Sequence, residues 1–372
     1  MKLSLRTLTL RFDWILFFAT FVIVALSIIV LYSIALATQD ATDLLNFKKQ
    51  LFFAFVGFAM YALFAFKIDY ASLLSAHKIL YVIGAFLLTL VLVAGQTVRG
   101  TTGWFVIGGF SFQPVELVKI FMLFSLSAYC SVHAHQLKLP RYLFGSVVGV
   151  MGYIALILLQ PDFGSAFLIA STWFGLVFFA GMRKLHAIGL VVCGVLAVAL
   201  LWFFGFADYQ KDRIKVFLNP SLDPLGAGYN VTQSMIAVGS GQWFGTGLSF
   251  GSQSKLKFLP EAQTDFIFAV IAEQLGFVGV IVLLTLFGVI IARLLVHAPT
   301  IHESGGGLLL LGISLTLSIQ IFVNIGMNMG ILPVTGVTLP LVSYGGSSLV
   351  TTLLLLGIGQ GVIMRGHREI LD

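Results

Sequence analysis

WILFFATFVIVALSIIVLYSIALA, Trp14 to Ala37, runs for 24 residues without a charge. A bilayer core takes about 20 apolar residues in helical form, so this stretch is long enough to cross a membrane once. The preceding MKLSLRTLTLR gives it the look of a secretory signal. Its length exceeds the roughly 7 to 15 residues of a signal's apolar region, and we read it as a retained spanning helix.

Nine further apolar runs of similar character follow, at about 49 to 66, 77 to 95, 114 to 132, 142 to 160, 163 to 181, 186 to 206, 265 to 296, 306 to 330 and 342 to 364. Together they predict an all-α polytopic membrane protein, a single domain over 1–372 built as a bundle of ten transmembrane helices. The whole composition agrees. Of 372 residues 59% are hydrophobic and 10% charged, against about 25% charged in soluble domains, and the mean hydropathy is +1.03. That excludes an ordinary soluble enzyme. A transmembrane β-barrel would show short alternating segments in place of long continuous runs. The two cysteines, Cys130 and Cys193, both fall in apolar runs and form no disulfide framework.

The net charge of +6 is explained by topology before any acidic partner, because Lys and Arg collect in cytoplasmic loops. With both termini cytoplasmic, Lys2, Arg6, Arg11, Lys67, Lys78, Lys138, Arg141, Arg183, Lys184, Arg293, Arg365 and Arg368 lie inside, twelve of 21. Lys48 and Lys49 sit at a helix entrance and Lys119 within a helix. Arg99, Lys211, Arg213, Lys215, Lys255 and Lys257 face outward, against the bias. Five of those six belong to residues 207–264, a large extracytoplasmic loop between helices 7 and 8. Loops of that length are functional or disordered, and the apolar residues spread through this one predict that part of it folds back onto the helices. The 96–113 connection, with Trp104, Phe105 and Phe110 among glycines, is expected to dip into the outer interface.

A charge at the bilayer centre costs about 2.5 to 3.5 kcal/mol on insertion scales, so ionisable residues in apolar runs are functional candidates. Glu116, Lys119, Asp162, Asp265 and Glu273 qualify, all toward the outer half; the cytoplasmic half is expected to be nearly free of charge. Glu116 and Lys119, three apart on one helix face, can neutralise each other, either as a structural pin or beside a substrate. Asp162 reads best as a helix N-cap. Asp265 follows a basic loop and precedes apolar residues that would desolvate it, which raises a carboxylate's pKa and makes it a better base. His77, His133, His135, His186, His297, His302 and His367 all fall on the cytoplasmic side, so an outer-face base must be a carboxylate.

Cations beside a carboxylate suit a reaction at an anionic leaving group, with the carboxylate activating a hydroxyl. No G-x-x-x-x-G-K-[ST] loop is present, so the energy must come from the substrate. A polyprenyl-diphosphate sugar fits, its tail in lipid and its diphosphate on Arg and Lys. Arg213, Lys215 and Lys257 are the diphosphate contacts chosen by charge and side; attraction to anionic lipid headgroups is the competing reading.

GILPVTGVTLPLVSYGGSS (Gly330 to Ser348), FLPEAQTDFIFAVIAEQLG (Phe258 to Gly276) and QPVELVK (Gln113 to Lys119) resemble the SEDS family (shape, elongation, division and sporulation), over essentially the whole chain. Short termini and SQSKLKFLPE (Ser252 to Glu261) are more similar to its elongation branch than to its division branch. The resemblance implies a peptidoglycan glycosyltransferase of the cytoplasmic (inner) membrane that polymerises lipid II at the outer face with inversion, releasing undecaprenyl diphosphate. It implies Asp265 as general base for the acceptor 4-hydroxyl, and Glu116 and Lys119 as cavity residues. It also implies a class B penicillin-binding protein and other elongation-complex membrane proteins as partners. Where the family reads AEE before LG, this chain has Ala272, Glu273 and Gln274, which argues against a role needing the second carboxylate. A divalent cation, Mg or Mn, suits the diphosphate, but no ligand cluster marks a site. Gly345 and Gly346 are expected to allow close helix packing, and Pro333 and Pro340 to break the chain in an outer re-entrant loop that lines a cavity. A flippase for the same lipid-linked precursor and a noncatalytic cell-wall scaffold remain the rival classes.

Overall fold

The computed structural model describes residues 11–366 apart from 99, 109, 135, 205–207, 220–221, 224–225 and 302. Readings made above on Lys2, Arg6, Arg99, His135, His302, His367 and Arg368 lie outside the described residues. Long helices dominate: α1 (Trp14–Thr38), α2 (Ala41–Phe66), a short α3 (Tyr70–Ser75), α4 (His77–Ala94), α5 (Pro114–His133), α6 (Pro140–Leu158), α7 (Phe163–Phe179) and α8 (Lys184–Phe204). After α9 (Asp208–Leu218), α10 (Ala227–Ser240) and α11 (Ser252–Lys255) come α12 (Ile267–His297), α13 (Ser304–Asn328) and α14 (Gly346–Gly366). Among the described residues eight helices are long and apolar enough to cross a membrane, while Phe163–Phe179 and Lys184–Leu200 are apolar but shorter.

Helix starts follow local chemistry. Asp13, Asp40 and Asp162 cap α1, α2 and α7 by accepting backbone N–H groups of Leu16, Thr42 and Ser165 at 3.0, 2.9 and 2.9 Å. Proline opens α5 and α6, where its missing N–H costs nothing. The Asp40 cap explains why α2 begins at Ala41, eight residues before its apolar run. At the other extreme 342–345 reads as apolar but stays outside α14, because its backbone serves the cavity described below.

The chain is not purely helical. Residues 96–112 form a three-stranded antiparallel meander, β1 (Gln96–Val98), β2 (Thr101–Ile107) and β3 (Phe110–Phe112), with Gln96 opposite Trp104 and Val106 opposite Ser111. Gly100 and Gly108, both at positive φ, turn the chain between strands.

α14 is the most buried of the eight spanning candidates and lies along α2. Glycine permits the approach at several levels: a Cβ at Gly357 would meet the Tyr61 backbone, and one at Gly346 would clash with the Phe53 ring. Gly346 thus has the packing role expected of it. Gly345 instead donates its N–H to Gln50 Oε1 at 3.3 Å.

α12 is broken at Gly276 (φ 65, ψ −167), a conformation open essentially to glycine alone. The freed backbone groups are taken up by the long loop. Thr246 and Gly247 donate to the Glu273 and Gln274 carbonyls at 2.9 and 3.1 Å, and Phe277 and Val278 donate to Gln242 and Trp243 at 2.8 and 3.1 Å. Non-helical backbone is tolerable inside a bundle when it is satisfied in this way. Part of 207–264 therefore does fold back: α10 also packs on α12, and on α13 with Ser234 fully buried against the Asn328 carbonyl at 2.8 Å.

At the opposite end of the bundle Asp13 is buried with Arg293 Nε at 2.8 Å and His297 Nε2 at 3.1 Å on the same carboxylate oxygen. This end, expected from the sequence to be nearly free of charge, thus holds a buried charged cluster. Burial alone would push the Asp13 carboxyl up, but hydrogen bonds from His297, the Leu16 N–H and Arg293 outweigh it and hold it at about 2.

Candidate active site

A cavity of about 320 Å³ opens where the starts of α2, α5, α7, α12 and α14 meet the end of α13. The β-meander contributes Thr101, Trp104 and Ser111, and the 329–345 connection contributes Val334 to Thr338 and Tyr344. Helix polarity puts Arg11, Lys67, Lys78, Lys138, Arg183 and Arg293 at the far ends of these and neighbouring helices.

Glu116 and Lys119 lie on the first turns of α5. Their ion pair measures 2.8 Å with both side chains 9% exposed, and Thr351 Oγ1 donates to the same Glu116 oxygen at 3.2 Å. Next to them Asp162 accepts the Ser165 N–H and hydroxyl at 2.9 and 2.7 Å and the Gln113 side-chain amide at 3.3 Å. The cap reading of Asp162 holds, and the same residue also lines the cavity.

Asp265 lies in a turn before α12, whose N-cap position is Phe266. Its main-chain carbonyl accepts the Asn324 and Asn328 side-chain amides at 3.1 and 2.9 Å. Facing it is Gly336 at φ 73, where a Cβ would stand 3.9 Å from Asp265 Oδ2. The positive φ there favours glycine.

The 329–345 connection is irregular yet buried at Leu339, Leu341 and Val342. Its backbone groups are met from several sides: Gln320 and Asn324 donate to the Thr338 and Val337 carbonyls at 3.2 and 2.8 Å, and Gln50 to the Ser343 carbonyl at 3.1 Å. Ser343 Oγ donates to the Thr264 carbonyl at 2.6 Å, tying this loop to the residue before Asp265. The cavity-lining loop expected from Pro333 and Pro340 is present.

Glu116, Lys119, Asp162 and Asp265 are thus brought together, and the other candidates among the described residues are not. Glu273 is fully buried elsewhere and accepts the Gln253 N–H at 2.8 Å, anchoring the start of α11. Lys215 pairs with Asp212 at 3.0 Å on the exposed face of α9, and Lys257 pairs with Asp40. That contact holds the Asp40 carboxyl well below the usual carboxylate range and the Lys257 ammonium above its own. Neither lysine lines the cavity, and the Arg213 side chain lies outside the described residues. Among the described residues the cavity's cations are Lys49 and Lys119. No group of three or more His, Cys, Asp or Glu among them is arranged to hold a metal ion, and Glu116 and Asp162 are already engaged, so this donor set does not fit a protein-held divalent cation.

A family model described as "Cell cycle protein", covering FtsW, RodA and SpoVE, matches residues 13–366. The chain belongs to the SEDS family. It is 41% identical over 294 residues to the peptidoglycan glycosyltransferase MrdB of Escherichia coli K12, covering 79% of this chain and 78% of that one. It is 38% identical over 350 residues to a probable peptidoglycan glycosyltransferase FtsW of Thioalkalivibrio sulfidiphilus, covering 91% and 85%. Its fold matches, at TM-score 0.82 and 32% identity over 96% of this chain and 99% of the other, a chain solved in work on the structural coordination of polymerization and crosslinking by a peptidoglycan synthase complex.

In this SEDS protein Gln274 accepts the Ser33 hydroxyl through Oε1 at 2.6 Å. An amide oxygen can accept that bond, so the second carboxylate of AEE is not needed for it here. Sequence reasoning missed Lys49, set aside as a helix-entrance charge, and Asn324 and Asn328, which carry no charge. The spacing of four from Thr316 through Gln320 to both asparagines was the available signal.

Proposed function

We propose that this SEDS protein is a peptidoglycan glycosyltransferase that joins lipid II units into glycan strands at the outer face of the cytoplasmic membrane, serving cell elongation. One observation carries the reading: Asp265 lines a cavity of about 320 Å³ that also holds the Glu116–Lys119 pair, Asp162 and Lys49, at the helix ends opposite the cytoplasmic cations. Asp265 takes the proton of the acceptor sugar's 4-hydroxyl as the oxygen attacks the donor's anomeric carbon. The new glycosidic bond forms as the bond to the diphosphate breaks, with inversion, and the proton stays on the carboxyl. Undecaprenyl diphosphate departs with its charge. Among the described residues Lys49 and Lys119, rather than Lys215 and Lys257, line the cavity where they would stabilise it. The relatives' names as glycosyltransferases and the synthase complex of the structural match support this reading, with a class B penicillin-binding protein as the crosslinking partner.

The test is Asp265→Ala in protein purified with that partner and supplied with lipid II. Strand formation is expected to vanish while expression and complex formation persist. Undiminished strands would overturn the mechanism, and lipid scrambling by strand-free vesicles would favour a flippase.

A further inference from the structure

Four polar residues recur at every fourth position of the apolar helix α13: Thr316, Gln320, Asn324 and Asn328, none more than 3% exposed. That spacing gathers them on one face. Amides buried in such a helix are costly unless their donors and acceptors are met, so the groups that meet them are informative.

The Asn328 carboxamide is inserted into a helical ladder that is not its own. One turn into α12, the Ala269 N–H donates to Asn328 Oδ1 at 3.2 Å. Four residues back, where a helix would offer the acceptor for that N–H, the Asp265 carbonyl accepts from Asn328 Nδ2 at 2.9 Å. The side chain spans the gap and lets the chain leave helical geometry at Asp265 while both backbone groups stay bonded. Asn324 Nδ2 adds a second donor to the Asp265 carbonyl at 3.1 Å and reaches the Val337 carbonyl at 2.8 Å. Val337 is next to Gly336, which faces the Asp265 carboxylate across the cavity. One side chain therefore fixes both walls of the gap.

We infer that Asn324 and Asn328 are positioning residues for glycosyl transfer: they hold the Asp265 backbone off the helix and set its carboxylate against the Val337 wall. The inference rests on Asp265 being the base. Neither asparagine touches substrate on this account, so losing either misaims the base and leaves substrate binding in place. A misplacement of about 1 Å can cost about 100-fold in rate.

The test compares Asn324→Leu and Asn328→Leu with Thr316→Val, in full-length protein purified with its transpeptidase partner and assayed on lipid II. Thr316 sits on the same face but contacts Thr172, at 3.4 Å, and does not line the cavity. Both leucine variants are expected to lose about 10- to 100-fold in kcat with KM for lipid II within about twofold, while Thr316→Val keeps the parental rate. Asn324→Ser and Asn328→Ser, which cannot span the gap but admit water, carry the same expectation and replace any leucine variant that aggregates. Parental kcat, a loss confined to KM, or an equal loss in Thr316→Val overturns the inference. Asp265→Asn assayed alongside separates the two claims. Its retained polymerisation overturns the base itself, whereas an inert Asp265→Asn beside asparagine variants at parental kcat overturns the positioning alone.

Discussion

Lys119 Nζ lies 2.8 Å from Glu116 Oε2, one helical turn apart on α5, in a pair whose side chains are almost closed to solvent. Two opposite charges buried together are tolerated; one alone is not. Breaking such a pair from one side costs about 3 to 5 kcal/mol, while removing both members is often close to neutral. Lys119→Met is therefore expected to lower the thermal midpoint of the purified protein more than the double variant Glu116→Gln with Lys119→Met. Fluorescence-detected unfolding of the two singles and the double reads the coupling, and strictly additive shifts would show that the pair does not act as a unit.

Cations are predicted to sort by their place relative to the cavity. Lys49 lines it, whereas Lys257 is held by Asp40 outside it. Lys49→Ala should reduce lipid II polymerisation by about tenfold or more, as expected for loss of a charge facing a departing diphosphate. Lys257→Ala should stay within about twofold. Initial rates at saturating lipid II decide the matter, and the reverse order would return the diphosphate to the long loop.

The sequence carried the helices because bilayer-length apolar runs are hard to use in any other way, and it singled out Asp265, Glu116 and Lys119, which the structure gathers around one cavity, because charge is scarce in such runs. Lys257, chosen for the diphosphate by charge and side, pairs instead with Asp40 and does not line the cavity, for a physical reason. Its partner Asp40 is 217 residues away, and side-of-membrane reasoning cannot see a neutralising neighbour. Asn324 and Asn328 escaped because a search for charges passes over neutral amides, although their role depends on hydrogen bonding alone. The meander at 96–112 alternates too briefly, and with too many glycines, to be separated from a loop.

Acid should loosen the far end of the bundle. Asp13, whose carboxyl sits at about 2 against an ordinary 3.8, is stabilising while ionised, so its contribution is complete above about pH 4 and is lost as pH falls toward 2. The thermal midpoint should therefore drop across that window, and Asp13→Asn, which cannot ionise, should flatten the drop. An unchanged slope in Asp13→Asn would assign the acid sensitivity to other groups.

The broken helix gives a paired test. Gly276→Ala forces a side chain into a glycine-only conformation and against the Gly245 and Phe244 backbone, with a cost of about 1 to 3 kcal/mol from the dihedrals alone. Gly288→Ala, further along α12 where a Cβ meets nothing within 4 Å, should be neutral or stabilising by up to about 1 kcal/mol. Unfolding midpoints of the two variants should move in opposite directions or differ by several degrees.

The central claim is that the Asp265 carboxylate takes the proton that makes the acceptor hydroxyl a nucleophile. Asp265→Asn keeps the shape of the side chain and removes only its basicity. With labelled lipid II and the purified partner complex, this variant should bind lipid II with parental affinity and yield no detectable strands over times in which the parent consumes its substrate. Strand synthesis by Asp265→Asn within about tenfold of the parental rate would contradict the account.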